Sequence, residues 1–229
     1  MVFKNIPFLL VLLSVFSSCK TVHKINYNSN HLTASDWVVE QQTGGTVTFK
    51  DKVMEITDAK GCTVWFKHLL QGPISISYDA TIIQHGGPYD RASDLNCFWM
   101  ATDPNNPENF FKNSKNRDGK FTNYHELLQY YVGYGGHNNS KTRFRRYNGE
   151  QNRPLLAAHD LSDPVFMITP NIPMRVTLVA DGQKVQYLIN GNLIFELDDT
   201  DPYQKGYFGI RTVNNHMKIE NLEIKSIHN

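Results

Sequence analysis

The sequence predicts an all-β fold, a jelly-roll sandwich of two antiparallel sheets with a groove on its concave face. Three observations predict it. Short runs of alternating apolar residues recur along most of the chain, with turn residues between them. Asp181-Gly182 and Asn190-Gly191 each join two such runs and read as tight hairpin turns. Helix is confined to Glu108 to Lys112 and Tyr124 to Leu128, a turn or two each.

The chain opens on an export signal. Lys4 is a short basic region, and Ile6 to Phe16 is apolar apart from Pro7 and Ser14, too short to span a bilayer. Ser17 and Ser18 precede Cys19, a pattern that resembles a bacterial lipoprotein signal with cleavage before Cys19 and lipidation of its sulfur. The expected organisation is a signal at 1–18, a polar tether at 19–31 and a single domain at 32–229. Such a protein faces the periplasm and touches the membrane through its lipid anchor only. A net charge of +1 gives the whole molecule no pull toward nucleic acid, so any anion recognition is local. Hydrophobic content of 40% and charged content of 20% suit a globular domain.

Strands then follow in order. Trp37 to Gln41, Thr46 to Phe49, Val53 to Thr57 and Thr63 to Leu70 precede the longer Ile74 to Ile83. In that strand Ile74, Ile76, Tyr78, Ala80 and Ile82 face a core, and the polar set opposite ends at His85, beside Gln84 and before Gly86-Gly87-Pro88. In Leu95 to Ala101, Asp94, Asn96, Phe98 and Met100 share a face, and Asp94 and Asn96 are expected on the same polar face as His85. Cys62 and Cys97 lie in apolar runs, and either a disulfide or two buried thiols fits them. The polar stretch Asp103 to Lys120 reads as a long surface loop.

Tyr130 to Tyr147, YYVGYGGHNNSKTRFRRY, carries the densest chemistry. Read as a hairpin turning at HNNS, it places Tyr131, Gly133, Arg143, Arg145 and Tyr147 on outward faces, with Tyr130, Val132, Tyr134 and Phe144 inward. Burying two arginines without anionic partners is costly, so that face points to an anionic ligand or to internal carboxylates. Arg175 to Ala180, Val185 to Ile189, Leu193 to Leu197, Tyr207 to Val213 and Met217 to Ile227 complete the strands, with Arg211 pointing away from the core. Asp198-Asp199-Thr200-Asp201 offers oxygen ligands for a structural calcium, or an ordinary polar turn before Pro202. Trp65 and Trp99 alternate with apolar residues and read as core. His85, His137 and His216 lie near turns, where surface histidines are common.

The run RVTLVADGQKVQYLINGNLIFELDD, with GYFGIRT and KIENLEIKSI, resembles the end of concanavalin-like (laminarinase-type) jelly-roll domains, including the 3-keto-disaccharide hydrolase group. DRASDLNCFWMATDP, the hairpin and HMKIENL resemble a Bacteroidota lipoprotein family related to YesU-like lectin-fold proteins of pectin-degradation loci. The resemblance covers Asp36 to Ile227 and implies a polysaccharide or oligosaccharide ligand. The Glu-x-Asp-x-x-Glu strand of retaining hydrolases of that fold is absent from this sequence. The residue types suit elimination from an acidic polysaccharide instead. His85, Tyr131, His137 and Tyr147 are the candidate acids and bases, and Asn96, Arg143, Arg145 and Arg211 the candidate binders of a uronate. The alternatives are a non-catalytic carbohydrate-binding lipoprotein and a hydrolase of 3-keto glycosides.

Overall fold

The computed structural model describes residues 25–227; the signal and Cys19 lie outside them. The strands, in chain order, are β1 (Asn26–Asn28), β2 (Trp37–Gln41), β3 (Thr46–Lys50), β4 (Val53–Asp58), β5 (Cys62–Phe66) and β6 (Leu70–Gln71). They continue as β7 (Ile74–Ile82), β8 (Leu95–Thr102), β9 (Leu128–Gly135), β10 (Lys141–Asn148) and β11 (Asp160–Leu161). The last five are β12 (Met174–Ala180), β13 (Lys184–Ile189), β14 (Asn192–Asp198), β15 (Lys205–Thr212) and β16 (Asn215–Ser226). All pairings are antiparallel. One sheet runs β14-β13-β12-β7-β16-β4-β3, with β1 on β16; the other runs β11-β10-β9-β8-β15-β5-β2, with β6 on β15. The jelly-roll sandwich follows the sequence pattern, and β1 carries the packed domain back past the expected tether boundary at His31.

Period-two alternation builds the layer between the sheets. Ile74, Ile76, Tyr78, Ala80 and Ile82 of one sheet meet Val64, Cys97, Trp99, Val132 and Phe208 of the other, all buried. Cys62 and Cys97 are both free thiols in this layer. They pair with Thr212 and Ile210, so β15 stands between them.

Two expectations about faces are corrected. β7 belongs to the sheet opposite β8, so its polar face, ending toward His85, is not continuous with Asp94 and Asn96. That face instead holds Asp79, which pairs with Arg175 and Asn221 on its own sheet. In β8 the strict alternation stops at Met100, whose φ of +53° accompanies a register shift and turns its side chain into the inter-sheet core.

Trp65 is buried outside the inter-sheet core, on the outer face of the β11-to-β2 sheet. It stacks on Phe98 with ring centroids 5.3 Å apart and meets Phe110 edge-on at 4.8 Å. Phe110 belongs to the stretch expected as a surface loop. That stretch and the residues just after it fold down as a lid of short turns, Phe110–Asn113, Ser114–Arg117 and Phe121–Tyr124. The lid makes a second apolar cluster with Phe98, Tyr131 and Tyr147. Lid and sheet are tied by a buried ion pair: Arg117 donates to both oxygens of Glu40, which also accepts from Trp65 Nε1 and the Tyr124 hydroxyl. Gly119, at φ +83°, lies so close to Gly61 and the Glu40 carbonyl that a Cβ would collide with both.

Candidate functional site

Across the outer face of this sheet the strand register lines up two rows. Arg143 pairs with Gly133, Gly133 with Asn96, Asn96 with Arg211 and Arg211 with Thr63. One step along, Arg145 pairs with Tyr131, Tyr131 with Phe98, Phe98 with Gly209 and Gly209 with Trp65. The first row is polar and the second largely aromatic. The lid covers the aromatic row from Trp65 to Phe98, and the polar row is left open between Arg143 and Arg211. Over this opening lies a cavity of about 290 Å³, lined by the whole polar segment of the row with Tyr131 and Arg145.

The hairpin turn explains why β10 delivers its arginines here. Gly135 to Asn139 adopts positive φ throughout except at Gly136, and asparagine tolerates this left-handed geometry well. Asn139 is pinned by a reciprocal pair of bonds with the Ile168 backbone, at 2.9 and 2.8 Å. Gly133 leaves the floor bare, and a Cβ there would press on the Tyr131 ring and hydroxyl.

The lining is strongly cationic. Arg91, Lys141, Arg143, Arg145, Arg153 and Arg211 face a single carboxylate, Asp94. Asp94 is taken by Arg91 at 2.6 Å and by the Ser93 hydroxyl. Arg91 also bonds the carbonyls of Val213 and Asn214 and the Asn138 side chain, strapping the hairpin tip to the turn between β15 and β16. Arg143 pairs with Asp160 from outside the cavity and donates to His137 Nε2 at 2.8 Å.

Arg145 and Arg211 differ from these. Arg145 is buried, and its Nη1 donates to the carbonyls of Arg153 and Pro154; its Nε is buried without a protein partner. Burial pulls its pKa down, and the neighbouring arginines Arg153 and Arg143 act in the same direction. Arg211 donates to the Thr63 hydroxyl and the Gly119 carbonyl, with Phe121 stacked 4.7 Å from its guanidinium. Among the described residues neither makes a salt bridge.

Of the eight candidate residues read from the sequence, Tyr131, His137, Asn96, Arg143, Arg145 and Arg211 line this cavity. His85 does not. It is exposed on the loop after β7, where its backbone N–H donates to Asp90. Tyr147 shares the face of Arg145 but is buried away from the cavity, stacked on His125. His216 is held between Asp90 and Glu55, at 2.8 Å to each. Tyr131 is a hindered base, because burial drives its phenol pKa well above the ordinary value, with Arg211 and Arg153 opposing. His137 sits exposed at the rim with Nε2 occupied by Arg143.

Lys141, Arg153, Arg91 and Phe121 were not read from the sequence as site residues. Lys141 was accessible to the same alternation that placed Arg143 and Arg145. The others arrive on irregular segments, which carry no periodic signal. Of the aspartates at 198–201, Asp199 accepts from Tyr130 at 2.6 Å and from Arg146 at 2.7 Å. Among the described residues no group of three or more His, Cys, Asp and Glu side chains is arranged to hold a metal ion.

Sandwich and cavity together define a concanavalin-like jelly roll with a cationic pocket on the outer face of one sheet. The chain belongs to the family described as Domain of unknown function (DUF6250), whose profile matches residues 56–222. No curated protein sequence matches it. Among solved structures it is similar to a protein of unknown function with galectin-like fold from Bacillus subtilis, at TM-score 0.66 and 19% identity, over 87% of this chain and 94% of that one. It is also similar to the carbohydrate-binding module CBM66 from Bacillus subtilis, at TM-score 0.55 and 12% identity, over 83% and 96%. A Bacillus licheniformis β-glucanase aligns at TM-score 0.55 and 10% identity, over 91% and 100%. At these identities the likeness is one of fold.

Proposed function

We propose that this protein is a non-catalytic carbohydrate-binding domain that holds the acidic group of a saccharide in the cavity over Arg145 and Arg211. The observation that carries the reading is Arg145, a buried cation that lines the cavity and has carbonyls, not carboxylates, as its partners. A buried charge without a counterion is costly, and a ligand carboxylate supplies one in the bidentate form guanidinium favours. The fold supports a sugar as the carrier of that charge, since it is shared with a carbohydrate-binding module and a glucanase. Two-carboxylate hydrolysis fits poorly, because Asp94 is the single acidic lining residue and is already paired. Export as a lipid-anchored periplasmic protein, the expectation from residues 1–19, suits a role in gathering glycan at a membrane.

Elimination from a uronate is the second reading. Its support is Tyr131, a phenol lining the same cavity as the two arginines. Against it stands the raised pKa of that phenol, which leaves little phenolate to take a proton near neutrality.

Calorimetric titration with a panel of acidic oligosaccharides, uronate-bearing and sulfated, tests the binding reading. Wild-type protein should bind at least one, and Arg145→Gln should weaken it by about 2 kcal/mol, the worth of a charge-assisted hydrogen bond. Unchanged affinity in the variant would make the Arg145 face structural. Following ultraviolet absorbance on the same samples separates the readings: new absorbance from unsaturated uronides establishes the lyase, and none is expected.

A further inference from the structure

We infer that the cavity receives the terminal sugar of an acidic chain, a uronate with a free hydroxyl beside its carboxylate, and not an internal segment. The inference rests on the carbohydrate-binding reading above and specifies its ligand.

A glycan that crosses a sheet face in mid-chain needs a trough open at both ends. Here the polar row is open at one end and sealed at the other. Beyond Arg211 it meets the lid: the Gly119 carbonyl accepts from Arg211, Gly119 packs on Gly61, and Arg117 closes over Glu40. Phe121 walls the side toward the aromatic row, stacked on Arg211 and tilted against Tyr131 with ring centroids 5.1 Å apart. On the side away from the lid, Arg91 straps the hairpin tip to the backbone of Val213 and Asn214.

Exposure falls steadily inward. His137 and Arg153 are exposed, Lys141 and Arg143 are half-buried, and Arg145, Asn96 and Arg211 are 5%, 3% and 2% exposed. The cavity is therefore a blind pocket entered beside β10. Its volume, about 290 Å³, is at the small end for ligand sites and suits one sugar rather than several.

The inner groups state what that sugar must carry. Arg145 and Asn96 line the inner end of the cavity, and each carries one polar atom without a protein partner, a donor at Arg145 Nε and an acceptor at Asn96 Oδ1; neither atom is exposed to the empty cavity, so a ligand reaches them only as the two side chains turn toward it. Buried polar groups are normally satisfied, so a fitting ligand brings an acceptor to one and a donor to the other. A carboxylate with a neighbouring hydroxyl does both. The rim cations Lys141, Arg143 and Arg153 then lie where a second acidic sugar would leave the pocket.

The test is titration with defined oligouronides, from dimer to octamer, of galacturonate, glucuronate and mannuronate. End recognition predicts one protein per chain at every length, with affinity changing less than about threefold beyond the trimer. Capping both chain ends, by reduction at one and O-methylation at the other, should abolish binding. Stoichiometry that climbs with chain length, or full binding by doubly capped chains, would overturn end recognition while leaving carbohydrate binding in place. Binding to none of the three series, in a preparation that binds sulfated oligosaccharides, would overturn the uronate assignment. Binding to neither class would overturn the carbohydrate reading itself.

Discussion

His125 reports the field of the pocket from behind its wall. Its ring stacks on Tyr147 with centroids 5.5 Å apart, and its Nε2 is buried without a protein partner. Burial first, then the charges of Arg153, Arg145 and Arg211, push its pKa down to about 4 from 6.5. The folded value lies below the unfolded one, so the unfolded chain binds more protons between these limits. Stability from this group is complete above pH 6.5 and is lost as pH falls toward 4, at a cost on the order of 1–2 kcal/mol once solvent screening is allowed for. Burial lowers the pKa of His159 too, which adds in the same sense. Thermal unfolding followed from neutral to weakly acid pH should show the loss in the wild type and a smaller one in His125→Phe, which keeps the stack. Equal losses in both would acquit His125. None of this was legible from the sequence, where a short helical turn at Tyr124 to Leu128 does not say what His125 packs against. Arg143 and Arg145 were legible because alternation in a strand fixes the face. Tyr147 obeyed the same alternation, but what covers a face is decided by the lid.

The lid converts an open sheet face into a pocket, and its attachment is electrostatic at one point. Glu40 is fully buried and accepts from Arg117, Trp65 and Tyr124; Arg117 lies over the Phe110 ring at 4.4 Å and donates to the Phe110 carbonyl. Removing Arg117 leaves the Glu40 charge buried without a cation, which costs about 3–5 kcal/mol, whereas removing both can be close to neutral. Arg117→Met should therefore destabilise strongly in a urea melt, and Glu40→Gln combined with Arg117→Met should recover most of that loss. Additive losses in the double variant would mean that the pair is not a coupled unit. The sequence marked Asp103 to Lys120 as long and polar, which is why it read as a solvent-facing loop. The hidden content of that stretch and the turn after it is four residues, Phe110, Arg117, Phe121 and Tyr124, spaced without helical or strand period, whose partners Glu40, Trp65 and Phe98 lie on three different strands. Such a segment can be recognised only after the sheet beneath it exists.

At the scale of the whole molecule, strands were readable and their allotment to sheets was not. A period of two identifies a strand and its two faces but not its neighbours, which in this topology come from distant parts of the chain: β7 pairs with β12 and β16, while β8 pairs with β9 and β15. Consecutive strands β7 and β8 thus fall in opposite sheets, and His85 left the site with β7. The cysteines show the same limit. Cys62 and Cys97 sit on one sheet and face one core, yet β15 runs between their strands, so both stay reduced in this fold. Burial pushes the Cys97 thiol up to about 12 and the Cys62 thiol higher still. Thiolate is the reactive species, so both groups are protected twice, by inaccessibility and by protonation. Both lie in central strands of the sandwich, so their exposure requires opening of the whole domain and not local fraying. The native protein should leave these two thiols unlabelled by an aromatic disulfide reagent, and denaturant should release both together, at the midpoint given by tryptophan fluorescence from Trp37, Trp65 and Trp99. Labelling of one thiol well before the fluorescence change would show that the sheets open separately. Formation of a Cys62–Cys97 disulfide without prior unfolding would contradict the placement of β15 between them.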